Sequence, residues 1–186
     1  MARNVEIKAL VADAAALRVK VAGLADRGAV EVDQDDTFFN CASGRLKLRA
    51  FPDGTGQLIY YQRANQQGPK ESFYELSPTH APDSLRATLT LAYGQAGRVR
   101  KHRTLFEIDK TRVHLDEVEG LGHFLELEVV LADGESANKA VLAAHQWMKR
   151  FEINPDQLIE GSYVELLSHS ISKSSVQFGA PISRMI

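Results

Sequence analysis

Apolar and charged residues alternate along most of the chain, with the two-residue period of a β-strand. In the first such segment, residues 4–10, apolar Val5 and Ile7 share one face. Charged Glu6 and Lys8 share the opposite face. Further segments with strand character are residues 36–39, 45–51, 57–63, 71–76, 98–108, 112–118 and 124–131. The short turns between many of these segments predict an antiparallel meander.

Three stretches have the spacing of helices instead. The first follows Asp13, whose side chain can cap the helix, and Gly28 provides a stop signal. The second begins near Pro82 and ends before Gly94, and the third covers residues 137–151. Strands interrupted by a few helices predict the α+β class, dominated by antiparallel strands.

The length and composition favour one soluble folded domain. A chain of 186 residues can bury a sizeable core, and 44% hydrophobic with 25% charged residues are ordinary values. The formal net charge of -2 gives no general attraction to nucleic acid or acidic membranes, so an anion site must come from local segregation of charge. The single cysteine, Cys41, excludes an intrachain disulfide framework.

From the distribution of apolar residues we expect neither a signal peptide nor a membrane span. The N-terminus has charges where a signal peptide needs an apolar run, and no stretch reaches the roughly 20 apolar residues of a membrane span. We therefore expect a cytoplasmic protein with no membrane association.

Residues 168–186 are serine-rich without a clear period, so we predict a folded domain at residues 1–167 and a C-terminal tail of uncertain order.

Charged residues on the predicted strands are sorted by sign. One segment presents only basic side chains, Arg45, Lys47 and Arg49, while another presents only Glu126 and Glu128. For a single strand, the wet face of an ordinary sheet is the simpler interpretation, because such faces are charged and their ion pairs contribute little. For the whole set this interpretation weakens, because an ordinary wet face also uses Ser, Thr and Gln.

The sorted charges suit metal-phosphate chemistry. Guanidinium groups bind phosphate oxygens in a bidentate fork, ammonium groups add compact positive charge, and paired carboxylates provide the hard ligands that Mg²⁺ and Mn²⁺ prefer.

Nucleic-acid binding has less support because no long basic face or recognition motif is present. The six histidines form no compact zinc pattern, and only His114 lies on the charged face, beside Arg112 and Asp116.

Four segments together resemble the CYTH superfamily, also called the triphosphate tunnel metalloenzymes. They are residues 4–8 (NVEIK), 44–49 (GRLKLR), 101–103 (KHR) and 114–128 (HLDEVEGLGHFLELE). The resemblance covers about residues 5–167 and implies eight antiparallel strands closed into a tunnel, with a charged lumen and helices packed outside. The superfamily includes class IV adenylyl cyclases, thiamine triphosphatases and inorganic triphosphatases.

The resemblance also assigns roles to the charged residues. Basic residues from several strands would hold the triphosphate: Lys8, Arg45, Lys47, Arg49, Arg63, Lys101, Arg103 and Arg112. Acidic residues would bind the cofactor, Mg²⁺ or Mn²⁺: Glu6, Asp116, Glu126 and Glu128. Lys8, Asp116 and Arg103 would also take part in the chemical step. Tyr163 lies in a segment that matches the family, and we expect it to pack rather than react.

One residue departs from the family pattern. The opening motif is usually Glu-x-Glu-x-Lys, whereas this chain has Asn4 at the first position. An amide can offer a neutral carbonyl ligand but cannot supply the missing charge. The number of bound metal ions, one or two, is therefore left open.

The segment at residues 114–128 looks more like the cyclase-type branch, so we expect conversion of ATP to cyclic AMP and pyrophosphate. The alternatives are hydrolysis of inorganic, thiamine or nucleoside triphosphate, and noncatalytic polyphosphate binding. Tyr60, Tyr61 and Phe73 could stack on a base, although aromatic residues on strands more often pack against neighbours. We expect no nucleic-acid or membrane partner, and a homodimer is left open.

Overall fold

The computed structural model describes the backbone of residues 2–176 and the side chains as far as residue 170. Most of the described chain lies in eight strands and four helices. The strands are β1 (Ala2–Leu10), β2 (Val30–Phe39), β3 (Arg45–Ala50), β4 (Gly56–Arg63), β5 (Lys70–Thr79), β6 (Gln95–Ile108), β7 (Thr111–Val118) and β8 (Gly122–Leu131). The helices are α1 (Ala14–Ala22), α2 (Pro82–Tyr93), α3 (Ala137–Arg150) and α4 (Tyr163–Val176).

The strands close into a barrel in the order β1-β5-β4-β3-β2-β6-β7-β8, and every neighbouring pair is antiparallel. Pairing of β1 with β8, from Arg3 opposite Leu131 to Leu10 opposite Phe124, completes the cylinder. Closure leaves no free edge and directs alternate side chains of each strand into an enclosed lumen. The predicted α+β fold with an eight-stranded antiparallel tunnel is confirmed.

The apolar residues that alternate with charges point out of the barrel, where helices cover them. Val5 and Leu127 of the strands belong to one buried cluster with Ala144 and Met148 of α3. Burying each large aliphatic side chain contributes about 1.5–3 kcal/mol, so this outer core holds α1 and α3 against the wall. Charged side chains that alternate with this outer core, such as Glu6, Lys8 and Glu126, face the lumen.

Element ends differ from the sequence prediction at two places in the first half of the chain. Asp13 caps α1 as predicted, with its Oδ1 accepting a 2.9 Å bond from the Ala16 amide. However, Gly23 rather than Gly28 ends that helix. β2 begins at Val30 instead of residue 36, because residues 30–35 form a continuous ladder with β6. Pairing with a neighbour thus makes a strand of an acidic stretch that has little intrinsic strand character.

The fourth helix, α4, lies across one side of the barrel and was not predicted. Its Val164 packs with Phe38, Val99 and Phe124 of the strands. The approach is so close that a Cβ at Gly97 would lie 2.4 Å from Val164 Cγ2. The predicted boundary at residue 167 falls inside α4, and residues 177–186 lie outside the described part of the chain.

Within the described part of the chain, no helix combines the length and hydropathy needed to cross a membrane.

Candidate active site

The barrel lumen is a cavity of about 360 Å³ to which all eight strands contribute side chains. Ten of the predicted site residues line it: Glu6, Lys8, Lys47, Arg49, Arg63, Lys101, Arg103, Arg112, Glu126 and Glu128. They come from six different strands, so barrel closure brings together charges that are far apart in the sequence. The alternation along each strand is the sequence signal that placed them on one surface.

Two predicted site residues lie elsewhere. Arg45 turns toward the loop after β4 and toward α4, where its Nη2 bonds Asn65 Oδ1 at 2.6 Å and Glu165 Oε1 at 3.0 Å. Asp116 does not line the cavity, because its side chain is fully buried beneath the lumen residues that bond to it. Their assigned roles in binding triphosphate and metal stay predictions, and these contacts give neither role geometric support.

Asp116 is surrounded by donors. One carboxylate oxygen accepts bonds from Lys101 Nζ at 2.7 Å and Arg103 Nη2 at 2.6 Å, and the other accepts from Arg103 Nε at 2.6 Å. Tyr163 donates its hydroxyl to the same carboxylate at 3.0 Å. Burial alone would raise the pKa of Asp116, but the adjacent Arg103 and Lys101 outweigh burial and hold the pKa below its usual range. Asp116 therefore fixes two lumen cations in place.

Asp36 does the same on β2, two strands away from β7 in the barrel, and sequence reasoning missed it. Its carboxylate accepts bonds from Lys47 Nζ at 2.7 Å and from Arg49 Nε and Nη2 at 2.7 and 2.8 Å. Burial opposes the charge, yet Arg49 and Lys47 still depress the pKa of Asp36. The only sequence signal was an acidic residue next to the apolar run that ends β2. Each of the two buried aspartates thus holds one lysine and one arginine from the next strand.

The lysines of the lumen are held close to other cations. Burial, with Arg49 beside it, lowers the pKa of Lys47 to about 7, although Asp36 partly opposes the shift. Burial also lowers the pKa of Lys8, whose Nζ lies 3.7 Å from the centre of the Tyr163 ring. An anion entering the lumen would relieve this crowding of positive charge.

Tyr163 packs as predicted. Its side chain is buried, its ring meets Phe124 edge-on at 4.9 Å between centroids, and it lies at the start of α4. Of the aromatic residues considered for base stacking, only Tyr61 faces the lumen. Tyr60 bonds Gln62 with its hydroxyl, and Phe73 lies under Arg3 away from the lumen.

The acidic residues of the lumen form a group on two adjacent strands, β1 and β8, next to His114 of β7. Glu6 of β1 pairs with Glu128 of β8, and Glu126 of β8 pairs with His114 of β7. Glu126 Oε1 lies 3.1 Å from Lys8 Nζ, and Glu128 Oε2 lies 3.6 Å from an arginine of β7. Burial raises the pKa of Glu6, whereas lumen cations overcome burial and lower the pKa values of Glu126 and Glu128. The two β8 carboxylates are therefore the better anionic ligands.

His114 completes this group, although no role was assigned to it from the sequence. Its Nδ1 is buried with no hydrogen-bond partner in the protein, 3.8 Å from Glu128 Oε1 and 4.0 Å from Glu126 Oε2. Burial, together with Arg103, lowers the pKa of His114 to about 4, which favours the neutral imidazole. The ligand atoms of the three residues lie within 4.8 Å of one another. One nitrogen and two carboxylates converging on one point fit a divalent cation.

Buried polar atoms without partners are concentrated in the lumen. Among the described side chains they are Asn4 Oδ1, Gln34 Oε1, His114 Nδ1 and Ser162 Oγ, and all four residues line the cavity. Each such atom costs about 1–3 kcal/mol when nothing satisfies it, so folded proteins avoid them except where a ligand binds. This concentration marks the lumen as a ligand site. It includes Asn4, the residue that departs from the family motif.

A larger groove of about 1070 Å³ lies on the outer surface of the barrel. Its charges pair with each other, as in the contact of Arg98 Nε with Asp35 Oδ1 at 2.7 Å. Of the described buried atoms that lack a partner, Gln34 Oε1 alone belongs to a residue of this groove, and Gln34 lines the lumen as well, whereas all four such residues line the lumen. The lumen, although smaller, is therefore the candidate active site.

A family model described as the CYTH domain matches residues 2–163, which is most of the chain. The chain belongs to the CYTH family. The resemblance inferred from the four sequence segments is thereby confirmed, and the charged lumen described above is the tunnel of a CYTH domain.

One curated relative supports the same relationship over part of the sequence. A protein of Methanocaldococcus jannaschii, named provisionally as an adenylate cyclase, is 33% identical to this CYTH chain over 76 residues. The match covers 41% of this chain and 43% of that protein, so it spans less than half of either.

Solved structures of similar fold come from archaea, bacteria and plants. A protein of Pyrococcus horikoshii OT3 superposes with a TM-score of 0.76 at 20% identity, covering 88% of this chain and 98% of its own. A provisionally named adenylate cyclase of Vibrio parahaemolyticus gives 0.70 at 20% identity, covering 89% and 97%. A Hippeastrum protein, described as a provisional adenylyl cyclase with a dominant triphosphatase activity, gives 0.65 at 13%, covering 91% and 96%. At these identities the similarity shows the fold.

Proposed function

We propose that this CYTH chain binds a triphosphate in the barrel lumen and cleaves it with the help of a divalent metal ion. The observation that carries the proposal is that one cavity contains two kinds of group. Two pairs of cations are held there by aspartates, and one histidine lies there with two carboxylates. Unpartnered polar atoms in the same cavity support it.

The basic residues would form the anion cradle. Asp36 holds Lys47 and Arg49, while Asp116 holds Lys101 and Arg103, so both pairs are oriented before the ligand arrives. Guanidinium and ammonium groups fixed in this way stabilise phosphate oxygens without having to reorganise during the reaction. Such preorganised charges are the usual source of the largest electrostatic contribution to catalysis. Lys8 and Arg63 lie on the wall between the cradle and the acidic group, each beside a glutamate.

Glu126, Glu128 and His114 would hold the metal ion. When bound, a divalent ion supplies charge that neutralises phosphate oxygens and stabilises the leaving group. Glu6 lies next to Glu128 in the β1-β8 ladder and has a raised pKa because of its burial, so it is less ready to act as an anionic ligand. Asp116 would act by orienting Lys101 and Arg103 rather than through the metal.

Attack by water on the triphosphate is the form of the reaction that the lumen supports best. Among the described aromatic side chains that line it, the rings of Phe38, Tyr61 and Tyr163 already lie beside lumen lysines. The Tyr74 hydroxyl accepts a 3.1 Å bond from Arg112. A nucleobase would need a free aromatic face for stacking. Conversion of ATP to cyclic AMP is the second candidate, because the segment at residues 114–128 resembles the cyclase-type branch and the Methanocaldococcus jannaschii relative bears a cyclase name.

The test is a product analysis with three substrates. Inorganic triphosphate, thiamine triphosphate and ATP are incubated with the protein and Mg²⁺ or Mn²⁺, and products are resolved by ion-exchange chromatography. Release of orthophosphate supports hydrolysis, and cyclic AMP with pyrophosphate supports the second candidate. Saturable binding without any product contradicts both and leaves a noncatalytic polyphosphate-binding module.

A matched pair of arginine variants localises the activity. Arg49→Ala removes a lumen cation, whereas Arg98→Ala removes an arginine from the outer groove. We expect Arg49→Ala to weaken triphosphate binding and Arg98→Ala to leave it unchanged. Equal effects of the two substitutions would contradict a lumen site.

A further inference from the structure

His114 is a buried histidine whose free ring atom faces two carboxylates. The residue is 4% exposed, and its Nδ1 has no hydrogen-bond partner in the protein. A buried histidine normally satisfies both ring nitrogens with protein partners, because an unsatisfied polar atom costs about 1–3 kcal/mol. The position therefore calls for a partner that the protein does not itself provide.

Barrel geometry fixes what that partner can be. β7 and β8 place His114 opposite Glu126 and Arg112 opposite Glu128, so the imidazole lies between the two carboxylates rather than on a movable loop. The distances of 3.8 and 4.0 Å from Nδ1 to the nearest carboxylate oxygens are too long for hydrogen bonds. They leave room for an ion that all three residues contact.

We propose that His114 is a nitrogen ligand of the divalent ion and that it makes the lumen prefer Mn²⁺ to Mg²⁺. The inference deepens the proposed function, because the ion is the one that triphosphate cleavage requires. Mg²⁺ is a hard cation that favours oxygen ligands in near-ideal octahedral geometry, so an imidazole nitrogen suits it poorly. Mn²⁺ also binds carboxylates, but as a first-row transition ion it accepts a nitrogen ligand more readily than Mg²⁺ does. A site built from carboxylates alone would discriminate less between the two ions.

The charges around the group agree with a ligand role. Glu126 is already shared by Lys8 and Arg103, which hold its oxygens toward the lumen. Glu128 has a looser contact, 3.6 Å from Arg112 Nε, and its other oxygen is the one that lies near His114 Nδ1. The lumen thus contains one firmly held carboxylate, one less constrained carboxylate and one unsatisfied imidazole at the same point.

The test reads the metal environment directly in protein loaded with Mn²⁺ alone. Electron spin echo envelope modulation of bound Mn²⁺ should show coupling to a ¹⁴N nucleus in the wild type. Histidine labelled with ¹⁵N should replace that coupling by the ¹⁵N pattern. The coupling should disappear in His114→Gln and persist in His145→Gln, a matched substitution at an exposed site on α3.

Affinities provide the second readout. The Kd for Mn²⁺ is measured by titration of the free-ion signal and that for Mg²⁺ by competition. In His114→Gln the preference for Mn²⁺ over Mg²⁺ should fall at least about tenfold, the lower range of losses when a group supporting a metal is removed. Thermal unfolding checks that the variant is folded, and the isotope experiment on the wild type needs no variant.

Mn²⁺ bound without nitrogen coupling would overturn the proposal. So would failure of the wild type to bind Mn²⁺, or an unchanged metal preference in folded His114→Gln. Because the coordination is measured without triphosphate, these outcomes are separate from the product analysis that tests the proposed function.

Discussion

Replacing Asp36 by asparagine tests whether the buried aspartates hold the cation cradle together. The substitution keeps the shape but removes the charge that Lys47 and Arg49 share. Removing one partner of a buried ion pair leaves uncompensated charge and typically costs about 3–5 kcal/mol. For a chain of this size, that loss corresponds to a fall in Tm of about 6–20 °C.

The neighbouring residue supplies the control. Asp35 carries the same group on the outer face, where it pairs with Arg98 and is 27% exposed, against 3% for Asp36. An ion pair at such an exposed position contributes about 0.2–1 kcal/mol, so Asp35→Asn should shift Tm by only a few degrees, on the order of 1–4 °C. Both shifts are measured by circular dichroism in the absence of ligand.

Two further measurements separate charge from packing. Triphosphate can replace the missing negative charge, so inorganic triphosphate should raise the Tm of Asp36→Asn more than that of the wild type. Because the folded pKa of Asp36 is depressed, its stabilisation is present at neutral pH and is lost as the pH falls below about 4, the unfolded value. The difference in unfolding free energy between the wild type and Asp36→Asn should therefore become smaller below that pH. Equal losses for Asp35→Asn and Asp36→Asn, or no extra gain from triphosphate, would refute the reasoning.

The other predictions concern binding, pH and packing. Glu126→Ala should reduce metal-dependent turnover and metal affinity. Arg49→Ala should chiefly raise the Kd for triphosphate, which isothermal titration calorimetry measures. If both variants lose their folded structure, this difference between them would disappear. Because the pKa of Lys47 is about 7, triphosphate affinity should fall as the pH rises from 6 to 8, and Lys47→Arg should flatten that dependence. Gly97→Ala should destabilise the fold by about 1–3 kcal/mol in urea unfolding, because α4 leaves no room for a methyl group. Gly28→Ala is the control, and it should not destabilise the fold because the space around Gly28 is open.

The charge pattern predicted strands with an inverted chemistry, and the resemblance to the CYTH superfamily implied that they close into a barrel. An ordinary half-buried sheet turns charges to water, but Lys47, Arg49 and Glu128 alternate with apolar residues that helices bury on the outside. Periodicity could place such residues on a common face of each strand. It could not show that the strands close, since β1 and β8 pair across more than a hundred residues of chain.

What the sequence missed depended on pairing in space. Asp36 looks like one more residue of an acidic stretch until β3 brings Lys47 and Arg49 beside it. Asp116 could be expected on the lumen face, but only the structure shows that cations use both of its oxygens. The alternation placed His114 on the charged face, but it could not assign the residue a ligand role, because the evidence for that role is a ring nitrogen left without a partner.

Closure of the barrel by its first and last strands has a consequence for how the protein folds. β1 finds half of its hydrogen-bonding partners only after β8 has been synthesised, so the chain has many contacts between residues distant in sequence and should fold slowly. Lys8 and Glu126 face each other only when β1 pairs with β8. An open intermediate can already pair charges across the β2-β3, β6-β7 and β7-β8 ladders. Glu6 and Lys8 join the acidic group only on closure, so formation of the Lys8–Glu126 ion pair during refolding would report completion of the native barrel.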